Sequence, residues 1–312
     1  MTASAGLTFD EYADAIQSAA VFYMKTGTTI TDWDLAWYPV NRTTMQFGTD
    51  GSARIVHGVT NPDAQIFIMQ RTKISGRVFL DGVLVPWNAI AIFPPGCHFT
   101  FVCDIPVEWV SVAVPTDLLN SRLLSADKYD GASLQTRKKM VTLSKASATQ
   151  FVKAAQQLRV EIQKSAAVKS KYDEHAAERS LLAQLDEALW NHVSEKDLPT
   201  NLTESAEDTV FKALDYARSN QAKPIHIDEL VDITGVEYRT LLRAFQRYLK
   251  IGPKRYLKLR QLNLVRRELW QRRRPKMSVI DILVDHGVNE FGRFATEYKK
   301  LYDETPSETL RR

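Results

Sequence analysis

Arg239, Thr240, Arg243 and Arg247 sit at helical spacing within one short stretch of this 312-residue chain. In Glu237–Leu249 they alternate with Leu241, Leu242, Phe245 and Leu249. On a 3.6-residue period the apolar positions share one face and the polar ones the other. Guanidinium groups outside an amphipathic helix suit phosphate oxygens and the acceptor edge of guanine, which arginine's fork engages bidentately. The stretch before it, from Ile227, carries Leu230, Val231 and Ile233 as its apolar residues, with Asp228 placed to cap a helix. Gly235 lies between the two, where a tight turn needs a left-handed residue. Helix, glycine turn and cationic helix make a helix-turn-helix pattern.

A second unit follows. Ser278 suits an N-cap, Val279–Leu283 begins a helix, Gly287 supplies the turn, and Glu290–Leu301 forms a further amphipathic helix. There Phe294, Tyr298 and Leu301 face inward, and Arg293, Thr296, Lys299 and Lys300 outward. Between the units, Lys254–Arg272 reads as one basic helix, with Tyr256, Leu259, Leu262 and Leu269 as its stripe beside Arg255, Lys258, Arg260, Arg266 and Arg267. The Arg272-Arg273-Arg274 run is expected to be a solvated loop.

These residues resemble the AraC/XylS family of bacterial regulators. The likeness covers about Thr209–Arg312 and rests on the Gly235–Leu257 core and on Gly287, Phe294, Tyr298 and Pro306. It implies two recognition helices held about one DNA turn, ~34 Å, apart by a linker helix. By position, Arg239 and Arg243 reach base edges, and Tyr238, Thr240 and Arg247 touch phosphate. In the second helix the matching positions are Phe291, Gly292, Ala295 and Thr296, with Arg293 beside them. Gly292 and Ala295 have no donor, and Val288 and Asp303 replace the usual Phe and Gly, so the second unit is expected to make mainly backbone contacts.

The elements ahead of this module have another texture. Gln65–Gln70, Arg77–Leu80, Ala89–Phe93, Phe99–Val102 and Trp109–Val114 are β-branched and aromatic, separated by turns such as Asp50-Gly51, Ser75-Gly76, Asp81-Gly82 and Pro94-Pro95-Gly96. Strand territory spans Thr31 to about Pro115, and the spacing predicts a sandwich or barrel. It resembles the family's cupin-like sensor domain, best in Phe93–Phe99. Ala148–Lys164 and Glu174–Val193 then read as helices, with stripes of Phe151, Ala155, Leu158, Ile162 and of Leu181, Leu182, Leu185, Leu189, Trp190. Those stripes either pack on the β-domain or form a dimer interface.

The expected architecture is therefore an all-β cupin-like barrel followed by helices, then an all-α double helix-turn-helix. Boundaries fall at residues 1–193, a polar linker 194–208, and 209–312. Charge divides the same way: Lys212–Arg312 holds 22 of the chain's 41 Lys and Arg and 13 of its 37 Asp and Glu. A basic end joined to a mildly acidic domain points to promoter DNA as a partner. A homodimer and contact with RNA polymerase, usually as an activator, are what the resemblance implies.

Catalytic motifs are missing: there is no G-x-S-x-G, P-loop or G-x-G-x-x-G. Cys97 and Cys103 are expected to be small core residues. A cupin metal site needs clustered histidines; His98 stands alone in its stretch and His57 lies far off in sequence, so no metal, no cofactor and no enzyme activity are expected. The competing reading is a cupin-type enzyme tethered to DNA. Arg71, Lys73 and Arg77 flank an expected hairpin turn at Ile74-Ser75-Gly76, and with Arg42 and Arg54 could form an anion site. That would suit a small-molecule effector such as cyclic di-GMP; a sugar or small carboxylate is the alternative. The N-terminus has no signal-peptide pattern and no run suits a membrane span, so a cytoplasmic location is expected.

Overall fold

The computed structural model describes residues 2–16, 19–73, 76–122, 136–168, 173–198, 206–220, 223–271 and 277–311. Its N-terminal part is two antiparallel sheets under two helices. One sheet orders as β1 (Thr2–Leu7), β3 (Trp33–Val40), β4 (Thr43–Asp50), β11 (Val107–Pro115), β6 (Ala64–Gln70), β9 (Ala89–Phe93), β12 (Lys139–Leu143) and β13 (His192–Asp197). The other orders as β2 (Ala19–Thr29), β5 (Ser52–Thr60), β10 (His98–Cys103), β7 (Val78–Leu80) and β8 (Val83–Leu84). Helix α1 (Phe9–Ala15) precedes β2, and α2 (Thr116–Arg122) follows β11.

The unbroken apolar run of β6 follows from burial on both faces. Ile66 and Ile68 look between the sheets, while Phe67 and Met69 belong to the core beneath α3 (Lys145–Val168) and α4 (Glu174–Trp190). β9 divides likewise, Ala91 and Phe93 inward and Ile90 and Ile92 toward the helices. Phe151, Ala155, Leu158 and Ile162 of α3 and Leu181, Leu182, Leu185 and Leu189 of α4 fill that layer. Their stripes are therefore consumed by the β-domain; Trp190 alone of the expected stripe is well exposed, at 42%.

Four strands escaped the sequence pattern. β1 and β2 precede the expected strand territory, and β12 and β13 follow it, pairing Lys139–Leu143 with His192–Asp197. That pairing also trims the expected linker: Ser194–Asp197 is strand, and the Leu198 amide donates to the Lys138 carbonyl at 2.8 Å. A second correction concerns Arg71–Arg77. β6 and β7 lie in different sheets, so the segment crosses from one to the other and is not a hairpin. The hairpin lies one turn later, where Asp81-Gly82 joins β7 to β8.

The C-terminal part is all helix: α5 (Ala206–Ser219), α6 (Ile227–Thr234), α7 (Tyr238–Leu249), α8 (Pro253–Gln271), α9 (Val279–Asp285), α10 (Phe291–Tyr302) and α11 (Pro306–Arg311). Ser278 caps α9 as expected, its hydroxyl accepting from the Asp281 amide. Asp228 is not the cap of α6. The cap lies two residues earlier, at His226, whose amide donates to Glu229 at 2.7 Å. No helix among the described residues is long and apolar enough to cross a membrane.

Candidate nucleic-acid interface and effector cavity

Helix α7 buries Leu241, Ala244, Phe245 and Leu249 and turns Tyr238, Arg239, Thr240, Arg243 and Arg247 outward. Among the described residues the three arginines make no ion pair, so their charge is available to a ligand. Lys254, at the start of α8, lies 5.5 Å from the Tyr238 ring. In α10, Phe291, Gly292, Arg293 and Thr296 are exposed and Ala295 is half-buried. Arg293 is held by Glu290 at 3.2 Å and Glu297 at 3.6 Å, and the Thr296 hydroxyl donates to the Gly292 carbonyl at 2.9 Å. The Arg272–Arg274 run lies outside the described residues.

Helix α8 is less of a basic face than its composition suggests. Leu259, Leu262 and Leu269 are buried, and so are two of the arginines. Arg260 donates to the carbonyls of Ala217 at 3.0 Å and Asn220 at 2.7 Å, closing the C-terminus of α5. Arg266 bonds Asp10 of α1 at 2.8 Å and Glu304 at 2.6 Å, and its guanidinium lies 4.4 Å from the Tyr302 ring centre.

Residues 230–312 match the family model described as helix-turn-helix domain. The XylDLEGF operon transcriptional activator 1 of Pseudomonas putida is 29% identical over 101 residues, 32% of this chain and 30% of that protein. A probable AraC family transcriptional regulator of known structure from Rhodopseudomonas palustris is 30% identical, covering 34% of this chain and 96% of that one, with a TM-score of 0.31. The chain belongs to the AraC/XylS family. A further solved structure, the AraC-like transcriptional activator CuxR, is 12% identical over 91% of this chain and 99% of its own, with a TM-score of 0.45. The chain spans about a third of the length of the curated relatives it matches. The relatives are regulators of transcription and not enzymes.

The chain's two parts are joined through contacts that periodicity does not announce. The Asn263 side chain accepts from the Lys25 amide at 2.9 Å and donates to the Lys25 carbonyl at 3.2 Å, so α8 docks on β2 as a strand neighbour would. Lys25 is itself buried, and burial followed by the Arg266 charge pulls its pKa down to about 8. Farther along, the Gly82 carbonyl at the hairpin tip accepts from Lys250 Nζ at 3.0 Å, and that ammonium lies 4.2 Å from the Phe79 ring centre. Lys250 ends α7. The β7–β8 hairpin therefore touches the end of α7.

The five cations expected to form an anion site do not converge. Arg42 pairs with Asp117 at 2.5 Å on the surface, Arg77 with exposed Asp104 at 3.0 Å, and Arg71 with Glu108 at 3.7 Å. Lys73 is exposed, and Ile74 and Ser75 lie outside the described residues. Arg54 alone points inward, from β5 into a cavity of about 90 Å³ between the sheets. There it pairs with Asp50. Burial works against its charge, and the Asp50 carboxylate more than restores it, so Arg54 stays protonated. The walls are apolar, from Ile66, Ile68, Ala91, Phe93, Phe99 and Phe101, yet Arg54 Nε and Gln70 Oε1 have no partner. Buried polar atoms without partners are rare in folded proteins. Cys103 also faces the cavity, and burial pushes its thiol up to about 11.

The sequence separation of His57 and His98 is closed by the pairing of β5 with β10, in which His57 lies opposite Thr100. Both imidazoles point away from the cavity, toward α5.

Proposed function

We propose that the protein is an effector-responsive transcription activator that reads promoter DNA chiefly through Arg239 and Arg243. The effector we propose is a small, mostly apolar molecule with one acidic or polar group, seated between the sheets against Arg54. A single observation carries this reading. The cavity combines apolar walls with an unpartnered, buried Arg54 Nε, and one of its wall strands, β7, leads directly to the hairpin tip on α7. An apolar cavity of about 150 Å³ accepts a benzene ring. At about 90 Å³ this cavity is smaller, so we infer that an effector larger than a few heavy atoms displaces a wall. Val78 and Val85, on either side of the β7–β8 hairpin, form part of that wall. Displacing them moves Phe79 and Gly82 against Lys250, which supplies the difference between two states that ligand control requires.

A cyclic dinucleotide gains nothing from the placement of Arg42, Arg71 and Arg77, each of which holds a different carboxylate. A homodimer, if formed, uses the outer faces of α3 and α4, where Val160 and Trp190 are exposed, since their inner stripes are occupied. RNA polymerase is the partner implied for an activator.

The test has two parts. DNA selected from a random pool by the full-length protein should bind wild type and lose affinity with Arg243→Ala; equal binding would refute the DNA-reading claim. A thermal-shift screen should then find branched or aromatic carboxylates raising the Tm, and Ala91→Phe, which fills the cavity, should abolish the shift while DNA binding persists. A cyclic dinucleotide or sugar as the only hit, or hits indifferent to Ala91→Phe, would overturn the proposed effector class.

A further inference from the structure

Two imidazoles and a carboxylate meet in the seam between the sensor domain and the DNA-binding domain. They are His57 on β5, His98 on β10 and Asp215 on α5, and one potential ligand atom from each lies within 4.8 Å of the other two. The sheet explains the first two. His57 pairs with Thr100 and His98 with Val59, so the histidines are diagonal neighbours on the same sheet face. The cavity-lining residues Arg54, Val56, Phe99 and Phe101 alternate with them and point the other way. Helix geometry explains the third. Phe211 and Asp215 are four apart on α5, and the Phe211 ring lies 6.3 Å from the His57 ring, which brings Asp215 over the sheet.

We infer that His57, His98 and Asp215 form a zinc site that clamps the DNA-binding domain to the sensor domain. A nitrogen–nitrogen–oxygen set is normal zinc chemistry, with water completing the tetrahedron. An independent observation points to a ligand at this spot. His57 is only 6% exposed, its Nδ1 is engaged by the Thr100 hydroxyl at 2.8 Å, and its Nε2 is buried with no partner. An outer hydrogen bond on one ring nitrogen, leaving the other free, is how metal-binding histidines are oriented. Bonds of 2.0–2.1 Å to zinc put tetrahedral ligand atoms about 3.3 Å apart, so ligand atoms now within 4.8 Å of one another must close by up to about 1.5 Å. Exposed His98 and half-buried Asp215 have room to do so. Arg218 Nη2, 3.3 Å from Asp215 Oδ1, would swing outward, and its side chain is 42% exposed. The ion would replace that cation as the partner of Asp215.

The clamp joins β5 and β10 to α5 at a place separate from both the cavity and the recognition faces, so it stands or falls apart from the proposed effector. The test is equilibrium dialysis of metal-stripped full-length protein with zinc chloride, alongside His98→Ala and Asp215→Asn, neither of which is a core residue. Wild type should bind one zinc per chain with micromolar or tighter affinity, and each variant should lose at least tenfold. Zinc should also raise the Tm of wild type and leave both variants unmoved, whereas Arg243→Ala, which removes a DNA contact, should bind zinc normally. Substoichiometric zinc, or binding that survives both substitutions, would overturn the site. Stoichiometric binding that fails to raise the Tm would overturn the clamp.

Discussion

In the first helix-turn-helix unit the outward arginines of α7 have no carboxylate partner among the described residues, while in the second Arg293 of α10 is shared between Glu290 and Glu297. Glu297 also takes Lys258 of the linker helix. The contrast extends to the sensor side. The first unit meets the β-domain through one hairpin tip, with Lys250 at its edge. The second is fastened by a buried network in which Arg266 joins Asp10 and Glu304, and Tyr302 packs on Phe9 at 6.5 Å. Two units of one pattern thus differ: one leaves its outward arginines without a carboxylate partner among the described residues, and the other holds the domains together. A charge already satisfied within the protein has less to gain from a base edge or a phosphate.

The largest expected effect tests that division. Arg243→Ala removes an unpaired guanidinium placed for bidentate base contact, worth roughly 1–3 kcal/mol. Promoter affinity by fluorescence anisotropy at fixed salt should fall about ten- to hundredfold, with discrimination at one base pair relaxed. Arg293→Ala should cost less than about threefold, because its charge is already engaged. Equal losses would abolish the contrast between the units.

Next come the two turn glycines. Gly235 and Gly287 both have φ of 68°, where an L side chain costs about 1–2 kcal/mol. A Cβ on Gly235 meets nothing within 4 Å, whereas one on Gly287 comes 2.7 Å from Pro224 Cβ. Gly235→Ala should therefore lower unfolding free energy by about 1 kcal/mol and Gly287→Ala by distinctly more, as measured by denaturant titration. Equal losses would show that the Pro224 wall yields freely.

Burial of Lys25 sharpens the anchor side of the comparison. Its pKa is lowered to about 8 in the folded protein, against about 10.5 when unfolded. Between those values the unfolded state binds more protons, so this group's contribution to stability increases as pH rises from about 8 toward 10.5 and is constant below. Comparing Tm against pH for wild type and Lys25→Met isolates it. The Asn263 bonds go to the Lys25 backbone and survive the change. Wild type should gain a few degrees on the variant between pH 7.5 and 10; parallel curves would mean the ammonium is solvated.

Much of the reading surface was legible because helical periodicity carries it. The inward set Leu241, Phe245 and Leu249 and the outward arginines follow from one 3.6-residue stripe, and Ser278 and Gly235 from capping and turn chemistry. Contacts between distant segments were not legible. Arg266 and Arg260 read as members of a basic face, since nothing local marks an arginine whose partners are Asp10 or the carbonyls that end α5. Arg42, Arg71 and Arg77 looked like an anion site for the same reason: a cation's value depends on the carboxylate opposite, which the fold supplies from elsewhere. His57 and His98 were separated by sequence and joined by strand pairing. β12 and β13 escaped because Lys139–Leu143 and His192–Asp197 lack an apolar alternation and gain their place from neighbours.

The smallest effects concern two residues where the second unit departs from its family. Asp303 ends α10 with φ of 62°, in the left-handed region that its Cβ disfavours, and its amide donates to the Lys299 carbonyl at 2.8 Å. Lys250 ends α7 with φ of 61°, but there the strain accompanies a contact to the sensor hairpin. Asp303→Gly should therefore stabilise by up to about 1 kcal/mol, since glycine removes the strain and keeps the backbone bond. Gly292 lies in the first turn of α10 with open space around its missing Cβ, so Gly292→Ala should add at most about 1 kcal/mol. If the second unit supplies mainly backbone contacts, both substitutions should leave promoter affinity within about twofold while raising the Tm by a degree or two. A tenfold change in affinity from Gly292→Ala would place a base or phosphate directly against that position and make α10 a reader in its own right.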